Sequence, residues 1–422
     1  MKSISLIDKK SSSLAERDWL DNFARKILLQ LLQKIEHGHL TLEDKGEIYS
    51  FGEPQESADL IAHISVTHPA FYRQVVFGGS IGAGEAYMFK NWWSPDLVQV
   101  IRLMAINMKV LQQLDSKWSS VFNIFCRIAH RLRPNTIAKA RENISAHYDL
   151  GNDFFKLFLD KTMLYSAAIY PSETASLEEA SLHKMAHICE RLNLNDQDHL
   201  LEIGTGWGGM AVYAAKKTGC RVTSVTISQE QFNHATEWVK REGLENQVTI
   251  LLQDYRLIQG TFDKLVSIEM IEAVGHEYYR TYFSKCASLL KPNGLMLIQA
   301  ITIQDQRFEY AQKNTDFIQQ YIFPGGCLPS NAVVARHVAE DTDLQIVGLE
   351  DITKDYARTL ADWRSAFHKN LDAVKAQGFD DVFIRMWDFY LSYCEGGFAE
   401  RAISTVQYVF AKPRARELPR VH

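Results

Sequence analysis

Two stretches of this chain carry residues spaced for chemistry. Leu200-Leu-Glu-Ile-Gly-Thr-Gly-Trp-Gly-Gly209 runs from apolar residues into glycines at 204, 206, 208 and 209, and helix formers from Met210 to Lys217 follow at once. The order is strand, tight turn, helix. Glycines let a backbone approach a ligand that a Cβ would push away, and a helix N-terminus offers unpaired N–H groups and partial positive charge. A nucleotide-like ligand is the expected occupant; a plain βα connection is the competing reading, because Gly-x-Gly-x-Gly-Gly is not the dinucleotide spacing. Glu202 ends the strand, where open α/β sheets bind ligands. A carboxylate there repels a pyrophosphate and suits a cation such as the sulfonium and amino groups of S-adenosylmethionine, with an exposed strand-end glutamate as the alternative. The second stretch is Glu269-Met-Ile-Glu-Ala-Val-Gly-His276, two carboxylates three residues apart at another strand end. Burying such a pair is costly unless it binds something; a solvent-facing pair is the alternative.

Further segments gather at the same edge, because the C-terminal strand ends of one parallel sheet lie together. Thr226-Ile-Ser-Gln-Glu-Gln231 offers hydroxyls and amides to a ribose, and Gln253-Asp-Tyr-Arg256 offers an acid and a ring to an adenine. Ala146-His-Tyr-Asp-Leu-Gly-Asn-Asp-Phe-Phe155 and Thr162-Met-Leu-Tyr-Ser166 precede the sheet and are read as closing over a nucleoside. Trp387 to Phe398 sets rings and Cys394 on a helix. Rings stabilise a carbocation or sulfonium, though core packing explains the same spacing, and a lone cysteine is more often structural. His183 and His187 have metal-ligand spacing without a third ligand in register, so no metal is expected.

These residues need a sheet to hold them. Strands are predicted at 200–203, 221–226, 248–252, 265–270, 295–303, 344–349 and 405–411, with helices near 179–193, 208–217, 229–243 and 277–290. That alternation predicts an α/β fold with a doubly wound, mostly parallel sheet. A helical block, Tyr356 to Cys394, is placed over the substrate side. The first region, 1–140, is expected to be smaller and mostly helical, with a helix from Ser13 to Lys34 and short strands at 40–42, 48–51 and 61–66. Its glycines between Phe77 and Met88 read as helix ends and turns, with a second ligand loop as the alternative, and Trp92 and Trp93 read as core. Lys117 to Arg141 interleaves apolar rings with Arg127, Arg131, Arg133, Lys139 and Arg141. Such a stretch suits an anionic bilayer or a solvated inter-domain linker.

A chain of 422 residues has room for two or three domains. Its net charge of −5 leaves no basic excess for nucleic acid, and 11% aromatic residues argue for a folded protein. Six cysteines without a Cys-x-x-Cys pair, and no charged-then-apolar leader, are read as a reducing cytoplasm. No apolar run approaches bilayer-spanning length, so any membrane contact is expected to be peripheral.

Together these motifs carry a resemblance. His147-Tyr-Asp-Leu-Gly-Asn, Met163-Leu-Tyr-Ser, Glu202-Ile-Gly-Thr-Gly-Trp-Gly-Gly, Thr226-Ile-Ser-x-x-Gln, Tyr321-Ile-Phe-Pro-Gly-Gly-Cys-Leu-Pro-Ser330 and the Cys394 helix resemble the cyclopropane-fatty-acyl-phospholipid synthases over nearly the whole chain. The resemblance implies a Rossmann-like class I methyltransferase domain over 141–422 and a lipid-associated domain and linker over 1–140. It implies methylene transfer from S-adenosylmethionine to the double bond of an unsaturated phospholipid acyl chain, through a carbocation, with a bound bicarbonate as base. The cofactor would touch Tyr165, Ser166, Glu202, Ile203, Gly204, Thr205, Gly206, Trp207, Gly208, Gly209, Met210, Thr226, Ile227, Ser228, Gln229, Glu230, Gln231, Asp254 and Tyr255. Glu272 and Tyr390 would hold the bicarbonate, with backbone help near Ile301, and Cys394 matches a cysteine proposed as catalytic.

The chain departs from the best-known bacterial pattern at Ala167, where that pattern has cysteine, at Ala273, where it has histidine, and at Gln299, where a histidine contacts the bicarbonate. The plant-type branch reads similarly there. A branched-chain methyltransferase and a catalytically silent lipid-binding protein are the alternatives. The resemblance also implies a peripheral place on the inner face of the membrane and suggests a homodimer. Binding to vesicles of unsaturated anionic phospholipid should weaken as salt rises from low to physiological ionic strength, because screening acts on exposed basic residues. Sedimentation of protein with vesicles measures this, and salt-insensitive binding would point to an apolar surface.

Overall fold

The computed structural model describes residues 18–108 and 150–418. The basic stretch 117–141 and the 147–149 end of the lead-in motif lie outside them. The chain divides into two compact units, Met1–Arg133 and Pro134–His422.

In the first unit, β1 (His39–Asp44) pairs antiparallel with β2 (Glu47–Gly52) and parallel with β3 (Ile61–Val66), which pairs with β4 (Trp92–Trp93). Helix α1 (Trp19–Leu32) is capped by Asp18, whose side chain accepts from Leu20 N, and it buries Ala24, Leu28 and Leu32 at helical spacing. Expected to be mostly helical, this unit also builds a four-stranded sheet. The glycine-rich run lies in α2 (Ala70–Met88), two helical segments joined at a kink where Gly79 has φ 54°. The segments fold back so tightly that a Cβ on Gly82 would sit 1.8 Å from Gln74 O. These glycines therefore serve a helix junction and close packing. Trp92 is buried, but Trp93 is 46% exposed, so the tryptophan pair is only half core. Helix α3 (Leu97–Ile106) closes the described part of the unit.

The second unit starts with α4 (Gly151–Phe155) and α5 (Leu177–Arg191) and is organised on strands β5 (His199–Ile203), β6 (Arg221–Thr226), β7 (Val248–Leu252), β8 (Phe262–Ile268), β9 (Leu290–Ile303), β10 (Gln345–Asp351) and β11 (Ile403–Ala411). Their order is β10-β11-β9-β8-β5-β6-β7. The five strands β5 to β9 run parallel, and β11 enters antiparallel beside β9. Successive strand residues point to opposite faces: Leu200 and Val266 pack with Met185, Met210 and Val239 on one side, and Leu201 and Leu265 with Tyr282, Phe283 and Val334 on the other. The first layer holds α5, α6 (Gly209–Thr218) and α7 (Gln229–Arg241), and the second holds α8 (Tyr279–Ser288) and α11 (Asn331–Asp341), with short α9 (Phe308–Lys313) and α10 (Phe317–Tyr321) between. The predicted helical block is α12 (Thr353–Lys369), α13 (Leu371–Ala376) and α14 (Asp381–Ala399). Strand β8 ends at Ile268 rather than at residue 270, because Glu269 turns the chain with φ 48°. Among the described residues no helix is long and apolar enough to cross a membrane.

Replacing Gly82 by alanine should destabilise the first unit by about 1–3 kcal/mol, since the added methyl meets backbone rather than a yielding side chain. Thermal unfolding measures it; an unchanged unfolding temperature would show that the two segments are not so close.

Candidate active site

The chain runs from β5 outward to β6 and β7, then returns to β8 on the other flank of β5. The crevice at the C-terminal ends of β5 and β8 is the switch point where open α/β sheets take ligands. Gly204, Gly206 and Gly208 there have φ of 97°, 52° and 98°, conformations that a side chain would strain. Gly209 opens α6 under Thr162, whose carbonyl oxygen lies 2.5 Å from where a Cβ would be. Glu202, 2% exposed, accepts from Ser224 Oγ at 2.5 Å, and burial pushes its carboxyl up to about 8 despite that hydrogen bond. No cation of the chain pairs with it in the described structure, which suits a cationic ligand beside it.

The lead-in segment folds over this turn. Trp207 Nε1 donates to Asn152 Oδ1 at 2.6 Å, and the Trp207 and Phe155 rings are 4.9 Å apart. Ser166 accepts from Lys184 Nζ at 2.6 Å; Lys184 is fully buried, and burial draws its ammonium down to about 8 against the pull of Glu269 and Asp160. Beyond β6, Thr226 Oγ1 bonds Gln231 Oε1 at 2.8 Å and Ser228 caps α7, while Ile227 is 80% exposed and Gln229 and Glu230 face outward. Beyond β7, Arg256 donates to both oxygens of Asp254 and holds its carboxyl below the usual range; Tyr255 is half-buried against Tyr282. Asp254 meets any adenine as an acceptor already shared with a guanidinium.

The two carboxylates after β8 are both held inside. Glu269 Oε1 accepts from Ala167 N at 2.9 Å and Gln299 Nε2 at 2.8 Å, and its Oε2 accepts from Tyr356 OH at 2.8 Å. Glu272 Oε1 accepts from Ile301 N at 2.5 Å, and its Oε2 is buried with no hydrogen-bond partner in the described structure. Burial, with Glu269 alongside, pushes Glu272 up to about 8. Glycine-rich loop 321–330 seals this turn, with Cys327 N donating to Glu272 O at 2.8 Å.

Rings surround these groups. Tyr165 lies 5.2 Å from Phe155 and 5.2 Å from Trp363, Trp387 lies 5.1 Å from Tyr390, and Phe323 is 6.2 Å from Tyr390. The Tyr165 and Tyr390 hydroxyls are 2.7 Å apart. Such a cage stabilises positive charge. Cys394, also on α14, is a thiol that burial pushes above its ordinary value, which disfavours the thiolate.

The residues expected to hold bicarbonate have hydrogen-bond partners inside the chain. Gln299 was expected to face that anion, but its amide donates to Ala167 O and Glu269 and accepts from Gln407 Nε2. The Ile301 N–H goes to Glu272, and Tyr390 shares its hydroxyl with Tyr165. These donors are already committed inside the chain, beside two buried carboxyl groups. His187 pairs with Glu350 at 2.7 Å. Lys184 escaped the sequence reading, as did the partners of Asn152 and Tyr356: Tyr356 lies 87 residues from its carboxylate partner and Asn152 is 55 from Trp207, spacings that no local pattern reveals.

Sheet order, glycine turn and buried acid at the β5 edge define a class I S-adenosylmethionine-dependent methyltransferase. The chain matches the family described as mycolic acid cyclopropane synthetase over residues 135–408, and it belongs to that family. It is 36% identical to tuberculostearic acid methyltransferase UfaA1 of Mycobacterium tuberculosis, covering 86% of this chain and 87% of that protein. It is 39% identical to the cyclopropane-fatty-acyl-phospholipid synthase of Escherichia coli, covering 83% and 88%. The structure of mycolic acid cyclopropane synthase CmaA1 complexed with SAH and CTAB superposes with a TM-score of 0.59 at 30% identity, over 64% of this chain and 98% of that one.

Glu202 supplies a pH test. A carboxyl raised from 4.5 to about 8 is protonated in the free site at neutral pH, and a cationic ligand takes the carboxylate, so binding releases a proton. S-adenosylmethionine affinity should rise about tenfold per pH unit below about 8 and flatten above it. Glu202→Gln should weaken binding roughly ten- to hundredfold and remove the slope, read by calorimetry. Affinity of the native chain that ignores pH between 6 and 8 would place Glu202 out of contact.

Proposed function

We propose that this chain adds a methylene from S-adenosylmethionine across the double bond of an unsaturated acyl chain in a membrane phospholipid, giving a cyclopropane. The observation that carries the reading is the pair of buried carboxylates after β8, set beside an aromatic cage at the cofactor crevice. A catalytically silent lipid-binding protein has no use for that costly pair.

The glycine turn, Glu202, Ser166, Thr226 and Gln231 suit the cofactor, which when bound supplies a methyl group on a positively charged sulfur. Glu202 balances that charge in a dry pocket, where a fixed carboxylate acts strongly. Tyr165 packs against Trp363 and Trp387 against Tyr390, a cluster of rings suited to stabilise positive charge on an acyl carbon and to exclude the water that would capture it. Glu272, anchored through Oε1 to Ile301 N, presents Oε2 as the chain's unpaired buried oxygen at this turn.

A second reading keeps the cofactor and the acyl substrate but leaves a methyl or methylene branch. The match to tuberculostearic acid methyltransferase UfaA1 over 86% of this chain favours it. Membrane-surface lipid, a cytoplasmic peripheral location and a homodimer belong to both readings.

Incubation with S-adenosylmethionine and vesicles of unsaturated phospholipid, followed by mass spectrometry and proton NMR, separates the two. A gain of one CH₂ with cyclopropyl protons and loss of olefinic signal is expected; the same gain with olefinic or exomethylene protons retained selects the second reading. Glu272→Gln should lower turnover at least about a hundredfold while leaving cofactor affinity nearly unchanged. Turnover equal to the native chain's would remove Glu272 from the reacting centre.

A further inference from the structure

Glu269 stands at φ 48°, where a side chain is strained and glycine is not. A strained residue at a site edge points to a function that keeps it. Its carboxylate is held by three donors from three separate parts of the chain: Ala167 N at 2.9 Å, Gln299 Nε2 at 2.8 Å and Tyr356 OH at 2.8 Å. Gln299 is the position the family pattern gives to a bicarbonate contact, and Ala167 is the position it gives to cysteine. A carboxylate and a bicarbonate present the same planar pair of oxygens to such donors. We propose that the Glu269 carboxylate fills this anion seat and is itself the base, so that the chain completes its reaction without bicarbonate.

The inference rests on the cyclopropane reading above. An ionised carboxylate has about four acceptor sites, and the three donors leave one on Oε2, beside the Tyr356 ring that stacks on Phe398 at 4.4 Å. Oε2 takes a proton from the methyl group added to the double bond. The electron pair of that C–H bond forms the last ring C–C bond to the cationic acyl carbon, and the carboxyl, now neutral, returns its proton to solvent after product leaves. Burial outweighs Lys184 and the three donors and raises Glu269 above the ordinary carboxylate value, which suits a base. A purely structural role, tying the Ala167 segment to the sheet, uses the same hydrogen bonds, so the test must read something a staple would not move.

Glu269→Gly relieves the backbone strain and opens the seat, and Glu269→Gln keeps the seat filled with a group that cannot accept the proton. Binding of carbon-13 bicarbonate by NMR, and turnover in CO₂-free buffer with and without added bicarbonate, are measured for all three proteins. Native protein should bind no bicarbonate and keep full turnover without it. Glu269→Gly should lose about a hundredfold or more in turnover, bind bicarbonate, and regain at least tenfold with saturation as bicarbonate is added. Glu269→Gln should be as slow and show no rescue. Native turnover that falls when CO₂ is removed, native bicarbonate binding, or full activity of Glu269→Gly in CO₂-free buffer would each overturn the proposal. So would a Glu269→Gly protein that holds S-adenosylmethionine normally yet neither binds nor is rescued by bicarbonate. If the native chain makes no lipid product under any condition, the cyclopropane reading fails, while bicarbonate binding confined to Glu269→Gly still supports the seat and binding by the native chain still overturns it.

Discussion

Everything at the C-terminal edge of the second unit depends on burying one carboxylate in a strained turn. A residue with φ near 48° costs about 1–3 kcal/mol unless it is glycine, and a buried carboxylate without donors costs several more. Three hydrogen bonds to a charged acceptor, each contributing about 1.5–3 kcal/mol, offset that cost only when all three arrive together. They come from the lead-in at Ala167, from β9 at Gln299 and from α12 at Tyr356. Glu269 therefore fixes where the lead-in and the helical cap meet the sheet. Gln407 of β11 extends the network by donating to Gln299 Oε1, so the antiparallel strand is tied to the same node.

The same edge concentrates carboxyl groups in a way that prepares for a cation. Glu202, Glu269 and Glu272 all have their carboxyls raised by burial, and fully buried Lys184 is the counter-charge that acts on Glu269. The pairing is electrostatic: Lys184 donates to Ser166, the hydroxyl of the lead-in, and Glu269 takes its donors elsewhere. A cationic ligand over the glycine turn adds a second positive charge on the Glu202 side. Fixed groups that need no rearrangement during reaction are the main source of electrostatic catalysis.

Local pattern made the scaffold legible. Apolar runs ending in glycine predicted β5 and its turn, and strands 221–226 and 248–252 were read to the residue, because buried parallel strands between helices are continuous and sharply bounded. The end of β8 was misread by two residues, since a glutamate at positive φ carries no propensity signal. The carboxylate pair was visible in sequence, but its partners were not: Ala167 is 102 residues from Glu269, and Tyr356 lies in a helix whose spacing reads equally as core. Gln299 shows the limit most clearly. Its type allowed hydrogen bonding to an external anion, and only the fold shows that its amide is already used three times.

In the proposed reaction, what becomes of positive charge on the acyl chain depends on how long the cage keeps it from water and how soon a base reaches the added methyl. The indole N–H groups of Trp363 and Trp387 are buried without an acceptor in the described structure, in a wall otherwise made of packed rings. Burial disfavours the thiolate of Cys394, which lies on the same helix as Trp387 and Tyr390. A carboxylate built into the chain stands at one fixed place relative to the cage, unlike an exchangeable anion. On the proposal that Glu269 is the base, ring closure requires the added methyl to lie within reach of that fixed oxygen, so the position of the acyl chain against Tyr356 and the rings, rather than base strength, governs which product forms.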